Sequence, residues 1–150
     1  MPRVIGMSYN QFLVRPGHKN EIAISMLDQS EMNFRFLDKD TRNQRLHEYA
    51  GYMKLNIGDV EKQKENQRLC TIKDINNIID FVKKHSDKDV IVHCNAGISR
   101  TGAIVYLLHK LGYQNNQEWV VKNDYIKSEK YLPNRYMISL IESVMVLSQE

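Results

Sequence analysis

Apolar residues recur along the chain in two rhythms, and these rhythms predict its strands and helices. Short apolar runs with β-branched residues predict strands over residues 3–7, 21–26 and 89–92. Residues 52–57 alternate polar and apolar side chains, as a half-buried strand does, and residues 33–37 are expected to add a further short strand. The first two strands are expected to be separated by a turn at residues 15–17.

Helical spacing of apolar residues predicts four helices in the second half. Thr71 is expected to cap a helix over residues 72–84, with Asp74 at its third position. The segment after residue 102 is apolar on almost every side as far as Gly112, so its helix is predicted to be the most buried. Residues 116–127 are predicted to form a third helix, and Asn134 is expected to cap the last.

Strands and helices in this order predict an α/β fold in which helices cover a mixed central sheet. The chain has 150 residues, of which 42% are hydrophobic, and no Pro/Gly/Ser-rich linker interrupts it. We therefore expect residues 1–150 to form a single catalytic domain.

The segment between the strand at 89–92 and the buried helix carries the candidate chemistry. It consists of a histidine, a cysteine, five small or polar residues and an arginine: His93, Cys94, Asn95, Ala96, Gly97, Ile98, Ser99 and Arg100. The backbone amides of such a loop can turn inward, and the N-terminus of the following helix adds positive potential. A phosphoryl group fits this cradle, and Cys94 is expected to be a thiolate at neutral pH.

The residue types suit displacement at phosphorus. Arg100 can donate two parallel hydrogen bonds to phosphoryl oxygens, which a lysine cannot do. Thr101 supplies a hydroxyl that can stabilise the thiolate as it leaves. His93 is expected to pack behind the loop, where it tunes Cys94 without taking its proton.

The run His93-Cys94-x5-Arg100-Thr101-Gly102 resembles the signature of the cysteine-based protein tyrosine and dual-specificity phosphatases. This resemblance, which extends most clearly to small viral and bacterial members, implies the dual-specificity phosphatase fold and a phospho-cysteine intermediate. Rhodanese-like sulfurtransferases also have a cysteine in an anion cradle, but they differ in spacing. Low-molecular-weight phosphatases and arsenate reductases carry their loop near the N-terminus, whereas Cys94 lies past the middle. A buried structural cysteine is the remaining alternative.

A proton donor for the leaving oxygen is expected on a separate loop. Asp59 follows the predicted strand at 52–57. Small dual-specificity phosphatases have a strand, an aspartate, a loop and a helix, in that order, before the signature, and Asp59 matches the aspartate of this order. Asp59 is therefore the candidate general acid. It can also be read as an ordinary turn residue, in which case Glu61 or Glu65 would be substitutes.

The rest of the sequence indicates where the protein is located and which partners it can have. A net charge of +3 does not indicate a nucleic-acid binder, and no apolar run is long enough to cross a membrane. No signal peptide is recognised, and only two cysteines are present, so we expect a cytoplasmic monomer in a reducing compartment.

The histidines show no metal-ligand spacing, so neither a metal nor another cofactor is expected. Cys70 is read as a buried hydrophobe, with a reversible disulfide to Cys94 as the alternative.

The loop composition favours phosphorylated proteins as substrates. Phosphoinositide phosphatases of the superfamily usually carry lysines in this loop, and RNA 5′-triphosphatases usually carry a second histidine; residues 95–99 contain neither. The Ala-Gly-x-Ser-Arg pattern resembles dual-specificity enzymes, whereas Thr101-Gly102 resembles tyrosine-specific ones, so phosphotyrosine alone or all three phosphoresidues remain open. A non-protein substrate (an RNA 5′-phosphate or a phosphoinositide) and a non-catalytic phospho-ligand binding module are the alternatives.

Overall fold

The computed structural model describes residues 2–34, 39–65, 67–122 and 125–148. In the first two thirds of the chain each strand is followed by one or two helices, and a hairpin and a helix complete the chain. The elements are β1 (Val4–Met7), α1 (Tyr9–Val14), β2 (Glu21–Met26), α2 (Gln29–Phe34), α3 (Lys39–Leu46), β3 (Gly51–Leu55), α4 (Ile72–Lys84), β4 (Asp89–His93), α5 (Arg100–Lys110), β5 (Val120–Lys122), β6 (Tyr125–Lys127) and α6 (Arg135–Ser148).

Four strands form the central sheet in the order β1-β4-β2-β3. All three pairings are parallel, and Val90 of β4 lies opposite Val4 of β1 and Ile22 of β2. The predicted α/β class with helices around a central sheet is confirmed, but this sheet is parallel and not mixed. Antiparallel pairing occurs in the separate β5–β6 hairpin. The apolar runs of β2 and β4 fit this arrangement, since strands of parallel sheets are buried on both faces.

Helices cover both faces of the sheet. Ile22 and Val92 face a core cluster that includes residues of α4, α5 and α6. Ala23 and Ile91, one position along on the same strands, face a second cluster with Phe12 of α1 and Leu46 of α3. This alternation follows from the period of two along a strand, and it places β4 in the middle of the molecule.

The predictions of the helices α4 and α5 agree with the structure. Thr71 caps α4 through a reciprocal pair of hydrogen bonds with Asp74, which satisfies two backbone donors at the helix start. α5 is buried from Arg100 to Leu108, and Gly112 follows it with a φ of 97°. Asn134 also caps α6 as predicted, since its Oδ1 accepts a hydrogen bond from Met137 N at 2.9 Å.

Besides the mixed sheet, two predicted elements differ from the structure, and three helices were not predicted. The predicted helix over 116–127 is wrong, because residues 120–122 and 125–127 pair as an antiparallel hairpin. The predicted strand over 33–37 is wrong at residues 33 and 34, which belong to α2, and residues 35–37 lie outside the described part. The helices α1, α2 and α3 were not predicted. Within the described ranges, no helix has both the length and the apolarity needed to cross a membrane.

Candidate active site

The segment from Cys94 to Ser99 connects the central strand β4 to the N-terminus of α5. Cys94 is the first residue after the strand and is only 2% exposed. Arg100 is the first residue of α5 and is 3% exposed. The sequence therefore folds into a strand, loop and helix unit, which directs the positive end of α5 toward the loop.

Gly97 gives the loop its tight curvature. Its φ is 75°, a value that L side chains rarely adopt, and its N–H donates to Cys94 Sγ at 3.3 Å. A Cβ at this position would come within 2.5 Å of the backbone atoms of Met7 and Ser8. Only glycine fits here, because the β1–α1 junction packs directly against the loop.

Two loop carbonyls are held from outside the loop. Cys94 O lies 3.0 Å from His93 Nδ1, and Asn95 O accepts a hydrogen bond from Tyr9 N at 3.0 Å. Because a trans peptide places its C=O and N–H on opposite sides, the N–H groups of Asn95 and Ala96 point away from these anchors. This is the orientation that an anion-binding loop requires.

Arg100 is fixed along one edge of its guanidinium group. Nη1 and Nη2 donate to the two carboxylate oxygens of Glu31 at 2.6 and 2.7 Å, and Nη1 also donates to Ile57 O at 2.9 Å. Burial disfavours the cation, but the negative charges of Glu31, Cys94 and Asp59 outweigh it, so the pKa of Arg100 is raised. Nε is buried and has no hydrogen-bond partner among the described groups.

Asp59 lies against the loop. Its Oδ1 accepts hydrogen bonds from Ser99 Oγ at 2.7 Å and from Asn134 Nδ2 at 2.9 Å. Neither donor uses Oδ2. Asn134 Nδ2 also donates to Val60 O at 3.2 Å, so the segment after β3 is tied to the start of α6. Glu61, the nearest alternative acid, is exposed.

His93 lies behind the loop, as predicted. It is fully buried, and Phe12 stacks on its ring with centroids 4.3 Å apart. Burial, opposed by the hydrogen bond to Cys94 O, lowers the pKa of His93 to about 3. The ring is therefore neutral at physiological pH, and its Nε2 lies 2.6 Å from Ser25 Oγ.

The remaining predicted residues divide between the interior and the surface. Thr101 is fully buried, and its Oγ1 has no hydrogen-bond partner among the described residues. Ala96 is exposed, and Ile98 is 43% exposed on the outer side of the loop. The predicted loop residues and Asp59 are thus brought to one place.

Three residues of the hydrogen-bond network around the loop were not predicted from the sequence: Glu31, Ser25 and Arg42. Asn134 was predicted as a helix cap, but its hydrogen bond to Asp59 was not. No local motif marks the first three, because each comes from a different element and meets the loop only in the folded chain. The cap position of Asn134 gave its location, but its contact with Asp59 spans 75 residues.

Further candidates in the described part of the chain are Cys70 and side chains of the types that bind metals. Cys70 is a free, buried thiol, and burial, together with nearby Asp74, raises its pKa to about 12. Among the residues that the structure describes, no group of three or more His, Cys, Asp or Glu side chains could hold a metal ion.

Comparison with known families agrees with this geometry. The family model for the catalytic domain of dual specificity phosphatases matches residues 15–144. The chain belongs to this family, and it is therefore a protein phosphatase of the cysteine-based class. No curated protein matches the chain, and no solved structure does. β1 and α1 lie before the matched residues, although both contact the loop.

Proposed function

We propose that the chain hydrolyses phosphate esters on proteins through a phospho-cysteine intermediate, acting on phosphotyrosine and also on phosphoserine and phosphothreonine. The observation that carries the proposal is the edge of the Arg100 guanidinium that faces away from Glu31, where Nε has no hydrogen-bond partner among the described groups. A buried guanidinium Nε without a partner is costly, and a phosphoryl oxygen is the partner that this donor fits best.

Cys94 is the proposed nucleophile. Its sulfur uses one electron pair to form the S–P bond, while the bond between phosphorus and the leaving oxygen breaks. The amides of residues 95–99 and the free edge of Arg100 stabilise the charge on the equatorial oxygens as the transition state flattens. Glu31 keeps the guanidinium in place during this change, since it holds the opposite edge.

Asp59 is the proposed general acid. Ser99 and Asn134 fix Oδ1, so we assign the transferred proton to Oδ2. The proton moves to the leaving alkoxide or phenoxide, which departs as an alcohol or phenol. Glu61 and Glu65 are less suited, because the supporting contacts at Ser99 and Asn134 belong to Asp59.

In the second step a water molecule attacks phosphorus. The Asp59 carboxylate takes one proton from this water, the S–P bond breaks, and the electron pair returns to Cys94 as the thiolate. The unpartnered, buried hydroxyl of Thr101 is the group that we propose stabilises this thiolate. Inorganic phosphate is then released.

Phosphorylated proteins are the proposed partners, and the reducing cytoplasm is the proposed location, since it keeps Cys94 reduced. We treat residues 1–150 as one monomeric catalytic domain that needs no metal. A loop without lysine or a second histidine supports protein substrates over phosphoinositides and RNA ends.

The deciding experiment measures phosphate release from phosphotyrosine and phosphothreonine peptides in the presence of chelator and reductant. The native chain is expected to hydrolyse both, and Cys94→Ser to lose turnover while it still binds phosphopeptide. Arg100→Lys should be nearly as inactive, because a point charge cannot replace the two-point contact. Substantial turnover by Cys94→Ser would refute the mechanism, and activity on phosphotyrosine alone would refute the dual specificity.

A further inference from the structure

A buried chain of hydrogen bonds leads from α3 to the phosphate-binding loop. Arg42 Nε donates to Ser25 Oγ at 2.9 Å, Ser25 Oγ lies 2.6 Å from His93 Nε2, and His93 Nδ1 lies 3.0 Å from the carbonyl oxygen of Cys94. Arg42 is 5% exposed, and Ser25 and His93 are fully buried. The hydrogen bonds of this chain are therefore shielded from bulk water.

The donor and acceptor roles along the chain follow from its ends. A carbonyl oxygen only accepts, so the proton of the neutral His93 ring must be on Nδ1. Nε2 then has no proton and accepts a hydrogen bond from the Ser25 hydroxyl. Arg42 is a cation that only donates, so the Ser25 oxygen accepts its hydrogen bond. The Ser25 hydroxyl proton is then directed toward His93.

We propose that Arg42 is a positioning residue for the phosphate-binding loop, because it holds the Ser25 hydroxyl as the donor that stabilises the His93 tautomer bound to the Cys94 carbonyl. The proposal rests on the proposed phosphatase function of the loop. In the other tautomer, a lone pair on Nδ1 would face the lone pairs of Cys94 O, and the peptide between Cys94 and Asn95 would lose its anchor. A flipped peptide would turn its carbonyl toward the phosphoryl group and remove one amide donor.

The surroundings of His93 favour this assignment. Phe12 and Tyr9 cover the ring by stacking, with centroids 4.3 and 5.4 Å away. The charged groups that act on the ring are Arg42 and Arg100, and both positive charges oppose its protonation. With the ring neutral and covered, the Cys94 carbonyl and the Ser25 hydroxyl together favour the proton on Nδ1, and Arg42 keeps the hydroxyl in its donor orientation.

The test uses Arg42→Met and Ser25→Ala, with Lys39→Met as a control that removes an exposed cation from the same helix. Imidazole ¹⁵N spectra at neutral pH should show His93 protonated at Nδ1 in the native chain and in Lys39→Met. Arg42→Met should shift the signal toward the Nε2–H tautomer, because the Ser25 hydroxyl is then free to accept from Nε2. Ser25→Ala should keep the proton on Nδ1, since an Nε2–H would be buried without an acceptor, and it tests the loop through ligand binding. Orthovanadate binding, measured by calorimetry, should weaken about tenfold or more in both, as expected for one lost buried hydrogen bond.

An unchanged His93 tautomer in folded Arg42→Met would overturn the proposal, and so would a changed tautomer with native vanadate affinity. An equal loss in Lys39→Met would also overturn it, because the effect would then come from charge alone. If Arg42→Met does not fold, Ser25→Ala carries the test through vanadate binding, and a native affinity in Ser25→Ala would then overturn the proposal. The spectra do not depend on turnover, so a failure of the proposed reaction would be seen separately, in the peptide assay with Cys94→Ser.

Discussion

Glu31 and Arg100 form a two-point ion pair, in which Nη1 and Nη2 of the arginine donate to the two carboxylate oxygens at 2.6 and 2.7 Å. The pair joins α2 to the start of α5. Burial would raise the pKa of Glu31, but the hydrogen bonds and charge of Arg100, with the N–H of Asp28, outweigh it, so the pKa is lowered. The carboxylate therefore stabilises the folded chain in its ionised form.

Glu31→Gln should destabilise the fold and misplace Arg100. A carboxylate with a lowered pKa contributes stability above its ordinary value of 4.5 and loses that contribution as the pH falls through the lower folded value. The native chain should thus lose stability on acidification from about pH 4.5 down through the lower folded pKa, and the variant should lose less. Urea unfolding at several pH values measures both slopes. Equal slopes would contradict this role, with Glu65→Gln, an exposed carboxylate, as control.

Asp59→Asn should slow hydrolysis by about 10²- to 10⁴-fold for esters with poor leaving groups, because those groups need a proton to depart. Aryl phosphates with very acidic leaving groups should lose much less. The measurement is the rate across a series of leaving-group pKa values. A uniform loss across the series would remove Asp59 from the acid role, and Glu61→Gln tests the neighbouring carboxylate in the same assay.

Asn134→Ser should separate the cap of α6 from the tether of the acid segment. A serine hydroxyl can still accept from a backbone N–H at the cap, but it lacks the amide donor that binds Asp59 and Val60. We expect near-native thermal stability together with a rate loss concentrated on poor leaving groups. The control is Thr71→Ala, which should lower stability by about 1 kcal/mol without changing leaving-group dependence. If the rate of Asn134→Ser depended on the leaving-group pKa as the native rate does, the proposed role of Asn134 in holding Asp59 would be refuted.

Gly97→Ala should abolish phosphate binding, because the added Cβ meets the backbone of Met7 and Ser8 at a φ of 75°. Gly112→Ala is a matched control, since Gly112 also has a positive φ, of 97°, but follows the distal end of α5. It should cost about 1 kcal/mol of stability with unchanged vanadate affinity. Calorimetric titration compares the two variants, and normal affinity in Gly97→Ala would show that the loop tolerates a side chain.

The sequence was informative wherever one short segment determined both structure and chemistry. The loop from Cys94 to Arg100 was found because its glycine, its small residues and its flanking strand and helix are contiguous. The cap at Thr71 was found for the same reason. Both depend on interactions between residues that are close in sequence, and such interactions can be predicted from a short sequence motif.

The errors arose where packing or long-range contacts decide. Residues 119–121 and 125–126 are aromatic or β-branched, which favours strands, yet two apolar positions seven residues apart also fit a helix. Glu31 could not be assigned from sequence, because its contact with Arg100 spans 69 residues and no motif links them. Arg42 would ordinarily be placed on the surface, and only the fold shows that it is buried.

The pairing of Val4 with Val90 has a consequence for biosynthesis. β1 leaves the ribosome several seconds before β4, at about 5–20 residues per second, and has no sheet partner during that interval because β1 pairs only with β4 among the described strands. The junction that packs against Gly97 is therefore made first, but it has nothing to support until β4 and the loop emerge. Phosphatase activity should appear late in synthesis, and until then the nascent chain exposes an apolar strand that chaperones can bind.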